Sequence, residues 1–181
     1  YDTVRRLEKI GNTSVKDLPL PELAFMLTSD LAVMDHSDGT VTLIANAINW
    51  DASDNRIDEA YAECVARLDR MQQELDAPLD GFVSELEVRT LPDFDSNTTE
   101  EKYRQSVKEI KEEILAGEAF QVVLSQRFSV EVKAEPIDIY RMLRLHNPSP
   151  SMYLFQFSDG ISVVGSSPEA LVKVNQKEVM V

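Results

Sequence analysis

The chain has 181 residues, of which 43% are hydrophobic and 28% are charged, and its formal net charge is −14. This is the composition of a folded globular protein, and the negative charge opposes binding to nucleic acids and to anionic membranes. No apolar run approaches the roughly 20 residues that cross a bilayer, and the single cysteine, Cys64, has no partner for an internal disulfide. We therefore expect a cytoplasmic location, with neither nucleic acid nor membrane as a partner.

The N-terminal part of the chain predicts short helices and a hairpin. Helical patterns cover residues 1–10 and 21–27. The apolar runs 31–34 and 40–45 are separated by a segment that contains an Asp-Gly pair, which is a strong signal for a tight turn. His36 lies beside this turn, and we interpret it as a solvated loop residue rather than a catalytic one.

A long amphipathic helix is predicted next, with Ser53 or Asp54 as its N-cap. Its apolar face repeats at three- and four-residue spacing: Ile57, Ala60, Tyr61, Cys64, Val65, Leu68, Met71 and Leu75. Cys64 is predicted to be a small core hydrophobe, because no basic residue lies on the same stripe to activate its thiol.

The best internal boundary follows this helix. Residues 76–97 contain two prolines and several aspartates, which predicts an irregular crossing with one strand at residues 82–88. We therefore divide the chain into an N-terminal lobe, residues 1–91, and a second unit, residues 92–181.

The second unit begins with a helix and continues with a long strand. A capping-box pattern at Thr98 and Glu101 starts the helix, and Gly117 ends it. The strand is predicted for residues 116–132, where apolar and polar positions alternate. Its apolar face consists of alternate residues: Phe120, Val122, Leu124, Phe128, Val130 and Val132.

The opposite face of this strand carries groups that suit chemistry. Gln121, Ser125 and Arg127 offer an amide, a hydroxyl and a guanidinium group, which together suit a small anion. The alternative interpretation is an ordinary strand with one solvated face.

The last part of the chain predicts a helix and two hairpins. Pro136 opens the helix, and the sequence NPSP at residues 147–150 terminates it. Strands at residues 152–157 and 161–165 pair around a turn, and a last strand pair begins at Leu171. Together with the earlier elements, this pattern predicts an α/β-mixed (α+β) fold in which mostly antiparallel sheets are flanked by helices.

The segment GSSPEALV, residues 165–172, is the second candidate for chemistry. Ser167 as an N-cap and Glu169 in the first turn are typical of a short helix, which is the structural alternative. The only histidines, His36 and His146, lie near predicted turns or helix ends, and no zinc, phosphate-loop or nucleophile-elbow motif is present. Any chemistry would therefore be carried by carboxylates and amides.

Three segments in order, AGEAFQVVLSQRF, YRMLRLHNPSPSMYLF and VVGSSPEALV, resemble the large subunit of anthranilate synthase, component I, within the chorismate-utilising enzymes. The resemblance covers residues 116–172 strongly, and residues 1–91 resemble the less regular N-terminal portion of that subunit. It implies that residues 1–91 form a lobe that could hold an inhibitor or partner region. Residues 92–181 would then be the first part of a chorismate-binding domain, in an incomplete anthranilate-synthase-like fold.

The resemblance assigns roles to two polar residues. Glu169 resembles the general acid that protonates the departing 4-hydroxyl of chorismate, a role that requires a carboxyl group kept protonated in a low-dielectric pocket. Gln121 occupies a position at which family members that add water carry a basic Lys. Gln removes no proton, so Gln121 favours ammonia as the nucleophile.

The NPSPSM segment, residues 147–152, resembles the loop that in this family helps to bind tryptophan as a feedback inhibitor. Pro150, Ser151 and Met152 occupy the positions of interest. Ser151 replaces the aromatic residue of the usual NPSPYM, which removes apolar contact area worth about 1–3 kcal/mol if that residue packs on the ligand. The strength of tryptophan inhibition is therefore left open.

The implied parent enzyme converts chorismate and ammonia to anthranilate and pyruvate, with ammonia supplied by a glutamine amidotransferase subunit, component II. Its Mg²⁺ ligands are expected beyond Val181, and the chain begins without Met and ends in an apolar run, so we expect an inactive fragment. One alternative is component I of aminodeoxychorismate synthase, which shares the Gln. Another is a non-catalytic tryptophan-binding or subunit-docking module.

Overall fold

The computed structural model describes residues 2–13, 15–79 and 93–180, and the chain divides into two compact units, Tyr1–Val83 and Ser84–Val181. The strand predicted at residues 82–88 lies outside the described residues. So does the predicted boundary at residue 91, and the division into residues 1–91 and 92–181 stays a prediction.

The first unit is built on one hairpin and one long helix. A short 3-10 helix, Asp2–Arg6, precedes strands β1 (Asp30–Asp35) and β2 (Thr40–Ala45), and helix α1 covers Ile57–Asp76. The strands pair antiparallel with Asp30 opposite Ala45, and α1 packs against β2. The predicted hairpin is therefore confirmed.

The helix predicted at residues 21–27 is wrong, because these residues have no helical structure. Phe25 is 86% exposed and Leu27 is 73% exposed, so the segment packs against little else. A helix of two turns is unstable in water without such packing, since its nucleation is costly.

Two aspartates organise the turn between β1 and β2. The Asp35 carboxylate accepts hydrogen bonds from the hydroxyl (2.6 Å) and the N–H (2.8 Å) of Ser37, and Asp38 accepts the equivalent pair from Thr40. These hydrogen bonds lower the pKa of both carboxyl groups. Their contribution to stability is present above the unfolded-state pKa and is lost as the pH falls through the lowered, folded-state value.

Helix α1 begins later than the sequence predicts. Its N-cap is Arg56, which makes no side-chain capping bond, so the prediction of Ser53 or Asp54 as the cap is wrong. The Ser53 hydroxyl instead accepts a hydrogen bond from the N–H of Asn55, at 3.4 Å. Serine side chains commonly bond to nearby backbone in turns, and this local bond competes with capping.

Arg67 ties helix α1 to the hairpin. Its Nη1 atom donates to the Asp30 carboxylate of β1, and its Nη2 atom donates to the carbonyl of Asn46, 3.0 Å away, just after β2. Nη2 also lies 3.0 Å from the sulfur of Cys64, which is 7% exposed and is the one buried apolar residue among those described. The expectation of no basic group near this thiol is wrong, because residues three apart in a helix are neighbours.

We expect Arg67→Met to lower the free energy of unfolding of the first unit by about 1–3 kcal/mol, because a charged hydrogen bond is lost while its acceptors stay partly covered. Hydrogen exchange of the α1 and β1 amides measures the change. Arg70→Met is the matched control, since Arg70 is an exposed cation on the same helix and its loss should cost less than about 0.5 kcal/mol. Equal losses in the two variants would contradict the role of Arg67.

The described residues of the second unit form two helices and three strand pairs. In chain order its elements are β3 (Asp95–Ser96), α2 (Glu100–Ala116), β4 (Phe128–Ser129), α3 (Pro136–His146), β5 (Ser151–Gln156), β6 (Ser162–Ser167), β7 (Lys173–Asn175) and β8 (Glu178–Met180). Each odd-numbered strand pairs antiparallel with the strand that follows it in this numbering. The predicted fold of antiparallel sheets flanked by helices is thereby confirmed.

Helix α2 is capped at both ends. Thr99, not Thr98, is the N-cap, and its hydroxyl accepts from the N–H of Lys102 at 3.3 Å. Thr98 lies in the turn before the helix, where its hydroxyl donates to Asn97 Oδ1 at 3.3 Å and its carbonyl accepts from the Ser96 hydroxyl at 2.6 Å. Gly117 ends the helix as predicted, with a positive φ of 86° that glycine adopts without steric cost.

The long strand predicted for residues 116–132 is wrong. Only Phe128 and Ser129 form a strand, paired with Ser96 and Asp95. An alternating sequence forms a strand only where a neighbour supplies partners for its backbone N–H and C=O groups. In the described part of the chain, β3 is the neighbouring strand, and it pairs with Phe128 and Ser129 alone.

Candidate functional site

The β5–β6 hairpin brings together two sequence motifs, NPSPSM and GSSPE. In its register Ser151 lies opposite Ser167, and Met152 lies opposite Ser166. The NPSPSM segment therefore enters the hairpin at the end where the GSSPE segment leaves it.

The two faces of this hairpin differ. One face carries Met152, Leu154, Val164 and Ser166, all half-buried, and helix α3 packs against both strands. The Ser166 hydroxyl donates a hydrogen bond to the carbonyl of Asn147, the residue that follows α3. This face of the hairpin is therefore the one against which α3 packs. The hydroxyl of Ser166 thus lies where α3 ends and the NPSPSM segment begins.

The other face carries a pair of aromatic rings above a glycine. The rings of Tyr153 and Phe155 are stacked, with centroids 5.3 Å apart and an angle of 26° between their planes. Gly165 lies opposite Tyr153, and a Cβ atom at position 165 would clash with the Cζ atom of the Tyr153 ring. The ring covers the backbone of the glycine, an arrangement that stabilises a glycine within a strand.

Serine hydroxyls fix the backbone around the two motifs. Ser166 donates to the carbonyl of Asn147 at 2.7 Å, and Ser149 donates to the carbonyl of Ser151 at 3.3 Å. The Ser167 hydroxyl donates to the carbonyl of Glu169 at 3.1 Å. The helix predicted to start at Ser167 is wrong, because β6 extends to Ser167 and this hydroxyl bonds to a carbonyl rather than capping N–H groups.

Glu169 lies two residues beyond the end of β6 and is exposed. Pro150 and Ser151 are exposed as well, and Met152 is half-buried. The described residues therefore do not enclose the Glu169 carboxyl in the apolar surroundings that favour a protonated acid.

Gln121, Ser125 and Arg127 lie in the segment between α2 and β4, which has no regular secondary structure up to residue 127. Gln121 and Ser125 are exposed, and neither makes a hydrogen bond with another described residue. Arg127 is held by its backbone, whose N–H donates to Asn97 Oδ1 at 3.0 Å and whose carbonyl accepts from the Asn97 N–H at 3.1 Å.

A groove of about 910 Å³ lies between α2 and the β3–β4 pair and was not expected from the sequence. Phe94 and Phe128 meet edge to face in its wall, with ring centroids 5.1 Å apart. Arg104, Lys108 and Lys111 line it as well. Their spacing of four and three residues on α2 was the signal that could have revealed a basic stripe.

The described residues contain no group of three or more His, Cys, Asp or Glu side chains that could hold a metal ion. The Mg²⁺ ligands thus stay a prediction. Among the helices of the described ranges, none combines the length and the apolar character needed to cross a membrane.

Comparison with known proteins gives consistent matches. The family described as chorismate binding enzyme matches residues 1–181. The chain is 49% identical over 179 residues to anthranilate synthase component 1 of Mycolicibacterium smegmatis, covering 96% of this chain and 34% of that protein. It is 41% identical to the protein of that name from Pseudomonas aeruginosa, covering 96% of this chain and 35% of that protein. The chain thus spans about a third of the length of the curated relatives it matches.

A solved structure matches the fold as well. The crystal structure of anthranilate synthase component I from Streptococcus pneumoniae superposes with a TM-score of 0.77 and 30% sequence identity. The match covers 97% of this chain and 38% of that chain. It confirms the predicted likeness to part of an anthranilate-synthase fold.

We expect Gly165→Ala to destabilise the β5–β6 hairpin by about 1–3 kcal/mol, because the new methyl group must push the Tyr153 ring off its stack with Phe155. Hydrogen exchange of the β5 and β6 amides measures this change. In a Tyr153→Leu background the same substitution should cost less than half as much, since the ring that it displaces is gone. An equal cost in both backgrounds would show that the ring does not set the requirement for glycine.

Proposed function

The chain belongs to the chorismate binding enzyme family, and we propose that the protein that contains it is the large component of anthranilate synthase, a cytoplasmic lyase. The observation that carries this proposal is the 49% identity to an anthranilate synthase component 1 over 96% of the chain. The proposed reaction joins chorismate and ammonia and yields anthranilate, pyruvate and water, as one step of tryptophan biosynthesis.

Glu169 is the proposed general acid. In this scheme ammonia attacks C2 of chorismate, the 4-hydroxyl leaves as water with a proton from Glu169, and a later elimination releases pyruvate. The tether between the Ser167 hydroxyl and the Glu169 carbonyl supports this role, because it fixes the backbone at the residue that must deliver the proton. Glu169 is exposed in the described part of the chain. The apolar surroundings that a general acid needs are therefore proposed to come from other parts of the protein.

Gln121 is proposed to select the nucleophile. Ammonia brings its own lone pair, whereas water needs a base to remove a proton, and an amide is no base. Ser125 and Arg127, which follow in the same segment, are further candidates for holding a substrate carboxylate.

Magnesium is implied by the family, but the described residues do not fit it. Mg²⁺ binds mainly through carboxylate oxygens, and the described residues contain no group of three or more His, Cys, Asp or Glu side chains that could hold a metal ion. The ligands of this ion are proposed to lie beyond Val181.

Two partners are proposed with this function. A glutamine amidotransferase subunit, component II, would supply ammonia, as the designation component 1 of the relatives suggests. Tryptophan is proposed as a feedback inhibitor that contacts Pro150, Ser151 and Met152. Exposure of Pro150 and Ser151 supports access of a ligand to this segment.

In the full-length enzyme we expect Glu169→Gln to lower kcat by about 100-fold, because general-acid assistance acts only in the transition state. The KM for chorismate should stay nearly unchanged. Fluorescence of the anthranilate product measures both constants. Glu178→Gln, at an exposed glutamate of β8, is the matched control and should leave kcat unaltered. An unchanged kcat with a lowered melting temperature for Glu169→Gln would make Glu169 a purely structural residue.

We expect Gln121→Lys in the full-length enzyme to produce a detectable isochorismate side product, because the amine can act as base on an attacking water. Formation of anthranilate should fall, since an ammonium group at this position repels ammonium that enters the site. Chromatography of the products measures both effects. Gln121→Met is the control, because it changes the side chain without adding a base. Hydroxylated product from both variants, or from neither, would mean that residue 121 does not select the nucleophile.

A further inference from the structure

The hydroxyl of Ser166 joins two segments that are far apart in sequence. It donates to the carbonyl of Asn147, 2.7 Å away and 19 residues earlier in the chain. Asn147 is the residue that follows α3, and its own N–H donates to the carbonyl of Leu143 at 2.8 Å. Asn147 is therefore fixed on one side by the helix and on the other by β6.

The segment that follows Asn147 is fixed at its far end by the same strand. Ser151 pairs with Ser167 in the β5–β6 ladder, and within the segment the Ser149 hydroxyl donates to the carbonyl of Ser151. Residues 147–151 are thus held at both ends by two consecutive residues, Ser166 and Ser167. These are also the last two residues before Pro168 and Glu169.

We propose that Ser166 is a positioning residue that couples a ligand on residues 150–152 to the position of Glu169. A ligand that displaces these residues pulls on Ser166 and Ser167, and β6 passes the displacement to the residues that follow it. The coupling is reciprocal. The free energy by which the position of Glu169 changes the affinity for the ligand equals the free energy by which the ligand shifts Glu169 between its positions. This inference rests on the proposed function, which makes Glu169 the acid and tryptophan the ligand.

The ladder pairing alone would not give this coupling. Ser151 and Ser167 are the terminal pair of the hairpin, and terminal pairs open readily. The Ser166 hydroxyl adds a second attachment on the helix side, so that residues 147–151 move with the strand instead of fraying from it. Removing this hydroxyl should uncouple the two segments while the rest of the hairpin stays paired.

The test is made on the full-length enzyme with its wild-type activity as reference. We expect Ser166→Ala to raise the tryptophan inhibition constant about three- to tenfold, the factor that corresponds to one lost hydrogen bond. Its KM for chorismate without tryptophan should stay within about twofold of the wild-type value. Ser166→Thr keeps the hydroxyl and should restore inhibition.

Ser162→Ala is the matched control. Ser162 lies on the same strand and face, at the opposite end, and its hydroxyl makes no hydrogen bond with another described residue. It should leave the inhibition constant unchanged. An unaltered constant in Ser166→Ala, or the same rise in Ser162→Ala, would overturn the proposal.

Hydrogen exchange of the wild-type enzyme gives a second test that needs no variant. Tryptophan should change the protection of amides in residues 147–152 and in residues 166–169 together, and a change confined to the first segment would overturn the coupling. An active wild-type enzyme that tryptophan does not inhibit would also overturn it. Failure of the wild-type enzyme to form anthranilate would instead refute the proposed function.

Discussion

The antiparallel register of β5 and β6 is the constraint on which the candidate site depends. Side chains alternate between the faces of a strand, so a slip by one residue would move every side chain to the opposite face. Tyr153 would then lose its place above Gly165, and Ser166 would lose the carbonyl of Asn147. The close fit of a ring against a residue without a side chain therefore specifies the register that brings the two motifs together.

Within each unit the described elements contact one another in small groups, such as α1 with β2 and α3 with the β5–β6 hairpin. Large side chains such as Phe120, which is 95% exposed, have little covering them. The known relatives are about three times as long, and we expect the additional surface of such a longer polypeptide to cover these apolar faces.

Features with local causes could be predicted from the sequence. The Asp-Gly turn predicts the first hairpin, Gly117 predicts the end of α2, and Pro136 predicts the start of α3. Features that depend on distant partners could not be predicted in this way. The alternating segment at residues 116–132 lacks a neighbouring strand over most of its length, and the hydroxyl of Ser53 bonds within a turn instead of capping α1. For the candidate site, the motifs themselves were visible in the sequence, whereas the bond from Ser166 to Asn147 required the structure.

The covered thiol of Cys64 has a practical consequence. It is the single cysteine of the chain, and it lies beneath the Arg67 guanidinium with 7% of its surface exposed. Because so little of this residue is exposed, alkylation of the sulfur should become faster when helix α1 moves away from the hairpin. The alkylation rate of Cys64 therefore measures local opening of the first unit.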